Sequence, residues 1–436
     1  MLRAFLLGTF TFVCPIWSSP DNPGGGFTSE FFNRDSVQLP APKILDPGKR
    51  ASQISGFIPF HSSFTRRRGL GPLFTNSSCG GCHLNNAKGP VDVQAQGVFG
   101  SSTVVMIGFR KPDGKIRPLR EWNGQIPLGD KRFVRDLGIQ LKRIKDESFT
   151  LSNGRRVTLY KNVITLNPRT RALRRKLSPK RGERLVMSLR ISPPMVGMGL
   201  IEALPSGVIL NRADPFDNDR DGIKGFVNLV KDVDGNTKIG RFGFKSQHPS
   251  LERQIGFALF AEMGIENKYF KKSKKEISDL TFKELVDYLK YAGIPKPRIQ
   301  NRERFLQGYD IFVRIGCEKC HASNLTITGY EEPEFNDETI SPFSDFLLHN
   351  LGAKMCDDFS QGLASGCDWR TTPLWGLGLS GIENGRQGRH FLHDGRAKSI
   401  EEAILWHGGE GHSAKNQFLG LNADELNLLL EFLRSL

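Results

Sequence analysis

The residues of this sequence best suited to chemistry are cysteines and histidines at a fixed spacing. The pattern Cys-x-x-Cys-His occurs twice, first as Cys79, Cys82 and His83 and again as Cys317, Cys320 and His321. In this pattern the two thiols form thioethers to the vinyl groups of one haem, and the histidine becomes an axial ligand of its iron. Zinc binding and thiol–disulfide exchange are the alternatives, but zinc would want four ligands and no second Cys-x-x-Cys lies near either copy. We therefore predict two covalently bound c-type haems.

A second group of candidate ligands is a run of acids in the middle of the chain. Asp217, Asp219 and Asp221 alternate with other residues and are followed by Gly222. Carboxylates at this spacing converge on one side of a tight loop, and hard oxygen ligands suit calcium. Asn228 falls where an EF-hand has its bidentate glutamate, so the loop is not a complete EF-hand. The pattern predicts a structural calcium site, with an exposed acidic turn as the alternative.

Helices are expected to position the two haem motifs. Phe74 and Phe312 each lie five residues before the first cysteine of a motif, which predicts a helix leading into each one. Further helices are predicted over 251–265 and 279–293. The chain ends in an amphipathic helix whose start has Asn422 and Glu425 at capping-box spacing. Its apolar stripe consists of Leu426, Leu429, Leu430, Leu433 and Leu436.

These elements predict a mainly α fold with two cytochrome-c-like haem domains and long loops. A stretch from about residue 97 to 166 is rich in β-branched residues and turn signals, and it predicts a β-containing insertion. The predicted divisions are a signal peptide over 1–19, a flexible N-terminal arm over 20–50, an N-terminal haem domain over 51–298 and a C-terminal haem domain over 299–436.

The chain has 436 residues and a formal net charge of +15. Basic residues cluster over 66–68 and between 169 and 184. Such stretches are either solvated faces or a docking surface for an acidic redox partner or an anionic membrane. No recognisable nucleic-acid-binding module accompanies the charge, so we expect no nucleic-acid partner.

The N-terminus has the pattern of an export signal. Arg3 precedes an apolar run over 4–13 that is too short to span a bilayer, and the small residues Ser18 and Ser19 follow. We predict a periplasmic or otherwise exported protein, with an uncleaved membrane anchor as the alternative. In an oxidising compartment Cys356 and Cys367 are free to form a disulfide, but the sequence does not decide whether they do.

Several segments carry a resemblance to a known family. The segments are 69–74 (GLGPLF), 199–203 (GLIEA), 240–245 (GRFGFK), 344–349 (SDFLLH), 369–376 (WRTTPLWG), 391–397 (FLHDGRA) and 399–410 (SIEEAILWHGGE). With them the chain resembles the di-haem oxidoreductase family of peroxidase-like proteins from about residue 50 to its end. That family is in turn similar to bacterial di-haem cytochrome c peroxidases.

The second resemblance implies a sixth ligand for the C-terminal haem. In the peroxidases the helix after a His-Asp-Gly turn carries a methionine that ligates the electron-transfer haem, and His407 occupies that position here. The C-terminal haem would then be held by His321 and His407, and its reduction potential would be lower than with methionine. For the N-terminal haem no convincing sixth ligand emerges, although Met195 and Met198 are candidates.

The leading functional hypothesis is reduction of hydrogen peroxide at the N-terminal haem, with electrons relayed through the C-terminal haem. Cleavage of the O–O bond needs a group that moves a proton, and Glu202 in an apolar run is the candidate acid/base. A small redox protein or a quinol-linked donor would supply electrons. The alternatives are a non-catalytic di-haem electron carrier and a di-haem oxidase that acts on a protein or thiol substrate.

Overall fold

The structure, a computed structural model, describes residues 20–31, 34–84, 102–271, 275–380, 382–383, 386–387 and 390–436. The α-helices in these ranges are α1 (Pro47–His61), α2 (Cys79–Cys82), α3 (Lys131–Leu137), α4 (Arg171–Lys176), α5 (Met198–Ala203), α6 (Ser206–Leu210), α7 (Leu251–Met263), α8 (Asp279–Lys290), α9 (Arg302–Arg314), α10 (Ile400–Leu405), α11 (His412–Leu419) and α12 (Ala423–Ser435). The predicted signal peptide lies outside the described residues.

The strands form several small antiparallel sheets. They are β1 (Thr103–Arg110), β2 (Ile116–Pro118), β3 (Gln140–Thr150), β4 (Arg156–Thr165), β5 (Arg184–Ile191), β6 (Leu229–Lys231), β7 (Thr237–Ile239), β8 (Leu325–Ile327), β9 (Glu338–Ile340), β10 (Leu348–Asn350), β11 (Asp368–Arg370), β12 (Ile382–Glu383) and β13 (Arg386–Gln387). One sheet has the order β2-β1-β5, and the other strands pair as hairpins or two-stranded ladders.

The prediction of a mainly α fold with cytochrome-c-like domains is wrong. Helix accounts for 35% and strand for 18% of the described structure, so helices and sheets share it. Strands β1 to β4 fall inside the predicted β-containing stretch, but β5 pairs with β1 along its whole length from beyond that stretch. Segments that looked like loops also pair, because hydrogen bonding to a neighbouring strand satisfies backbone groups that a buried loop would leave unpaired.

Two helix pairs lie beside the two haem motifs. Helix α1 packs on α8, and α9 packs on α12. Each pair crosses at a glycine: a Cβ at Gly56 would collide with the carbonyl oxygen of Glu284, and one at Gly308 with that of Leu428. Because glycine has no side chain, the helix backbones can approach closely at these points.

The C-terminal pair follows the sequence prediction. The capping box of Asn422 and Glu425 opens α12. Phe432 of α12 lies 5.2 Å from the ring of Phe305 and 5.5 Å from that of Phe312 on α9. Helices α7 and α8 also lie where they were predicted.

The helix predicted before the first motif is absent from the described chain. A 3-10 turn at Arg66–Arg68 and irregular backbone connect α1 to α2. Gly69 is left-handed with a φ of 90°, and Gly71 and Pro72 follow it, so this stretch is poorly suited to continue a helix.

The described part of the predicted flexible arm packs on the core. Phe27, Ala41 and Ile44 are buried. The backbone N–H of Ala41 donates to the carbonyl of Tyr291, and that of Ile294 donates to Phe27. The proposed domain boundaries stay a prediction. Among the described residues, no helix is both long and apolar enough to cross a lipid bilayer.

Candidate functional site

The second Cys-x-x-Cys-His motif opens into a cavity of about 270 Å³, which we call the C-terminal cavity. Helix α9 ends before Gly316, whose left-handed backbone turns the chain into the motif. Cys317, Cys320 and His321 all line the cavity. Both thiols and the imidazole of the motif therefore face one space, as attachment of a single haem requires.

Two of the four histidines that line the C-terminal cavity among the described residues are bonded in a way that suits an iron ligand. His321 and His407 both line it. The Nδ1 of His321 lies 2.8 Å from the carbonyl oxygen of Phe343, and the Nδ1 of His407 lies 2.8 Å from that of Ala403. These bonds favour the tautomer that keeps Nε2 free as an iron ligand. Burial lowers the pKa of His321 to about 4 and also lowers that of His407, so both are neutral at pH 7. The chemistry of this donor pair fits a haem whose iron would be held by two histidines.

A third histidine in this cavity is committed elsewhere. The Nε2 of His349 lies 2.8 Å from Asp345, and its Nδ1 lies 2.7 Å from Glu410. Burial alone would lower the pKa of His349, but hydrogen bonds to these carboxylates and to Cys320 raise it to about 12. A protonated imidazole with both nitrogens bonded cannot ligate iron.

The first motif opens into a smaller cavity of about 150 Å³, the N-terminal cavity, which Cys79, Cys82 and His83 line. Ser78 caps α2 by accepting from the N–H of Gly81. The Nδ1 of His83 lies 3.0 Å from the carbonyl of Pro193, and burial lowers the pKa of His83 to about 4. His83 thus has the same neutral, oriented form as His321.

No second histidine lines the N-terminal cavity within the described chain. Four methionines line it instead, namely Met106, Met195, Met198 and Met263. Segment 85–101, which follows the motif and is not described, contains neither histidine nor methionine. The two cavities therefore differ in the side chains that could serve as a second iron ligand: a second histidine in the C-terminal cavity and methionines in the N-terminal cavity.

The acid that lines the N-terminal cavity is Glu262 on α7, not Glu202. Burial raises the pKa of Glu262 to about 7. Glu202 accepts a 2.6 Å hydrogen bond from the N–H of Leu251 at the start of α7, and it is not among the residues that line either cavity. Sequence reasoning missed Glu262, although one signal existed: Gln254, Ala258 and Glu262 form a stripe of small and polar residues at four-residue spacing on α7.

The N-terminal cavity also holds unsatisfied polar atoms. The side-chain carbonyl oxygens of Gln125 and Gln254 are buried and have no hydrogen-bond partner among the described residues. Buried polar atoms are normally paired, so such orphans indicate a missing ligand or water. They fit a cavity built around a group that is bound there.

The two cavities share a wall. Pro194, Phe244 and Arg370 line both of them. Two haems bound in these cavities would therefore be neighbours.

The family model described as "Di-haem oxidoreductase, putative peroxidase" matches residues 130–278 and 271–436. The chain belongs to this family. As a member of this family, the protein is a haem-binding oxidoreductase. The suspected family is thus confirmed.

Two other comparisons add little to the family match. A comparison with curated proteins gave no match. Among solved structures, a chain of Kuenenia stuttgartiensis hydrazine synthase pressurised with 20 bar xenon is similar at 17% identity and a TM-score of 0.34, covering 57% of this chain and 73% of that chain. This likeness is too weak to bear on the fold or the function.

The acidic loop of this di-haem family member lies against its C-terminal haem motif. Ligand atoms of Asp217, Asp219 and Asp221 all lie within 4.8 Å of one another. Asp221 also lines the C-terminal cavity, and it forms a 2.9 Å ion pair with Lys319 of the motif. Asn228 is buried and bonded to backbone groups, so it is not available to the loop.

A further histidine belongs to the wall of the C-terminal cavity, and a disulfide lies close to that wall. His393 lines the cavity and stacks on Trp369 at 3.7 Å between ring centroids. Cys356 and Cys367 form a disulfide, next to Met355 in that wall.

Proposed function

We propose that this protein is an exported oxidoreductase with two covalent c-type haems that reduces hydrogen peroxide at the N-terminal haem. Electrons would arrive through the C-terminal haem. The observation that carries the proposal is the difference between the cavities. One offers two neutral imidazoles, whereas the other offers a single imidazole and an acid with a raised pKa.

The chain's residues divide the task of holding the cofactors. Cys79 and Cys82 would bond the N-terminal haem and His83 would ligate its iron, and the second motif would do the same for the C-terminal haem. When bound, the haems supply iron centres that accept electrons one at a time and, where a coordination position is open, bind peroxide. His407 would close the last position in the C-terminal cavity, which suits that side to electron transfer.

Glu262 is the group proposed to move a proton in the N-terminal cavity. Its carboxylate would take a proton from one oxygen of peroxide and return it to the other oxygen, which leaves as water when the O–O bond breaks. Two electrons from the donor and two further protons would convert the remaining oxygen to a second water molecule. A pKa near 7 suits both roles at neutral pH, since a catalytic acid/base works best when its pKa is close to the working pH. The apolar lining of α7 excludes water and keeps this pKa raised.

Export and calcium belong to the same proposal. The disulfide between Cys356 and Cys367 supports an oxidising compartment, and the covalent haem attachment that we propose would agree with it. Calcium at the three aspartates would brace the loop against Lys319 of the C-terminal motif. Its support is the convergence of three carboxylates, the donor type that calcium prefers.

The test compares two glutamate variants in the two-haem holoprotein. We expect Glu262→Gln to lower kcat/KM for peroxide by about 10²- to 10⁴-fold, the range typical of a lost general acid/base. The wild-type rate should rise with pH through about 7, as the Glu262 carboxylate becomes available, and this rise should vanish in Glu262→Gln. Glu202→Gln changes a residue of α5 that accepts a hydrogen bond from the start of α7 and lines neither cavity, so it should leave the profile in place.

The opposite pattern decides against this assignment. If Glu202→Gln abolishes turnover and Glu262→Gln does not, the sequence-based choice of Glu202 is correct. If the wild-type ferric protein shows two wholly low-spin haems and no peroxide turnover even after partial reduction, the protein is an electron carrier instead.

A further inference from the structure

Arg370 occupies the wall between the two cavities. It ends strand β11 and lines both cavities together with Phe244 and Pro194. Of these three shared residues it alone is charged. Any group bound in either cavity near this wall would meet the same guanidinium.

The guanidinium of Arg370 has no carboxylate partner among the described residues. Its Nε donates to the carbonyl of Gly243 at 3.0 Å, and one Nη donates to that of Thr371 at 3.3 Å. Asp345 is near enough to favour the charged form, but its carboxylate is bonded to His349 at 2.8 Å. Burial lowers the pKa of Arg370 to about 10, which still leaves it protonated at neutral pH.

Other buried arginines of the described chain are compensated. Arg190 forms an ion pair with Asp357 at 3.1 Å, and Arg396 forms one with Asp394 at 2.8 Å. Arg241 lacks a paired carboxylate but donates to three backbone carbonyls at the end of α5 and to a serine hydroxyl. Arg370 has only two acceptors, both from the backbone. A buried charge with so few partners is costly unless an anion joins it.

The anion that this site would meet in a di-haem protein is a haem carboxylate. Each haem carries two propionates, and the planar fork of a guanidinium matches a carboxylate with two parallel hydrogen bonds. We propose that Arg370 binds haem propionate at the shared wall and that its single charge raises the reduction potentials of both haems. The proposal rests on the two-haem function proposed above.

The effect on both potentials follows from electrostatics. Reduction adds one negative charge to each haem, and a nearby cation stabilises the added charge. Because Arg370 faces two cavities that bound haems would fill, solvent would screen this interaction weakly. One residue would then tune the electron-donating and the electron-accepting haem together.

The test is potentiometric titration of the two haems in the holoprotein, with haem content measured on the same samples. Arg370→Gln removes the charge and keeps hydrogen-bonding groups. We expect the equilibrium constant for reduction of each haem to fall about tenfold. For a one-electron couple this lowers each midpoint potential by about 59 mV. Arg302→Gln is the control, because Arg302 pairs with Asp21 at the surface and lines neither cavity.

Three results would overturn the inference. It fails if both potentials stay at wild-type values in an Arg370→Gln protein that carries two haems. A fall in one potential alone would show that Arg370 is not shared. A wild-type protein without two haems would refute the proposed function itself, which separates the two failures.

A second variant covers the case in which Arg370→Gln does not accumulate. Arg370→Lys keeps the charge but replaces the two-pronged fork with a single ammonium contact. The propionate would then be less stabilised as an anion, so its pKa should rise. We expect the pH range in which the haem potentials depend on pH to shift upwards relative to wild type. An unchanged pH dependence in a two-haem Arg370→Lys protein would contradict propionate binding.

Discussion

His407 is the side chain that makes the two cavities chemically unequal. It follows α10, and its Nδ1 bond to Ala403 orients the ring while the residue lines the C-terminal cavity. His321 carries the same kind of bond to a backbone carbonyl. Because His349 is held by two carboxylates, it does not compete for the iron. The place of His407 in the cavity wall and the bond at its Nδ1 together favour it as the residue that would join His321 in holding the iron.

Removal of this imidazole should change the C-terminal haem alone. We expect His407→Gly to convert that haem from low spin to a form that binds added imidazole or cyanide, since an axial position becomes open. The absorption and electron paramagnetic resonance spectra of the ferric protein would report the change. The signal of the N-terminal haem should stay as in wild type.

Substitution by methionine gives the matched control. His407→Met should retain a low-spin C-terminal haem but raise its reduction potential, because a thioether ligand favours the ferrous state relative to imidazole. If His407→Gly leaves the low-spin spectrum of this haem intact, then another residue, with Met355 next in line, is the ligand.

At the scale of elements, the sequence predicted helices α7, α8 and α12 well, missed the longer α1 and predicted short strands poorly. Helices α7, α8 and α12 carry capping residues and apolar faces that local rules detect. Strands such as β8 or β10 have three residues each, too few to show alternation. They form because distant chain segments meet, as when β10 pairs with β11, and such pairing is not encoded locally.

The same limit applies to the site. Both Cys-x-x-Cys-His motifs could be recognised from the sequence because their cysteines and histidine lie close together along the chain. The shared position of Arg370 depends on the packing of β11 between two cavities, and the exposure of Glu262 to one of them depends on the orientation of α7. Spacing along the chain gives no sign of the first, and for the second it offers only the stripe of small and polar residues on α7.

The disulfide closes a short loop beside the C-terminal cavity. Cys356 and Cys367 are 11 residues apart, and Asp357 within the enclosed loop pairs with Arg190 and Lys245. We expect the Cys356→Ser, Cys367→Ser double variant to lose about 3 kcal/mol of unfolding free energy, as closure of a loop of this size predicts. Denaturant unfolding would measure the loss. A reductant should lower the unfolding free energy of the wild type towards that of the double variant. If neither the reductant nor the double substitution changes the denaturant midpoint, the disulfide does not stabilise the fold.

The acidic loop permits a separate stability test. If calcium binds Asp217, Asp219 and Asp221, a free calcium concentration 100 times the dissociation constant stabilises the fold by about 2.7 kcal/mol. Chelation should therefore lower the Tm of the wild type, and Asp219→Ala should no longer respond to chelator. Asp234→Ala, an exposed acid on the β6–β7 turn, is the control and should respond as wild type does. Equal responses in all three proteins would rule the site out.

At the scale of the whole molecule, charge and architecture favour one side for the arrival of electrons. The chain has a formal net charge of +15. Hairpin β3–β4 carries exposed basic residues and packs against the C-terminal core, where Arg155 pairs with Glu401 of α10 at 2.7 Å. The exposed surface of this hairpin is therefore basic. We propose that an acidic redox protein docks there.

Docking of this kind should depend on salt and on the sign of the hairpin's charge. Opposite charges speed encounter, and added salt screens them, so kcat/KM for an acidic donor should fall steeply with ionic strength. Arg156→Glu on β4 should raise the KM for that donor by roughly tenfold at low salt, since like charges would then meet at the interface. Arg174→Glu on α4 makes the same charge change on an exposed helix that packs in a different core, so it should have a much smaller effect.

Steady-state oxidation of the reduced donor would measure both variants, with a small neutral dye as the reference substrate. If the two reversals weaken turnover equally, net charge alone steers the donor; if Arg156→Glu has no effect, electrons arrive at another face.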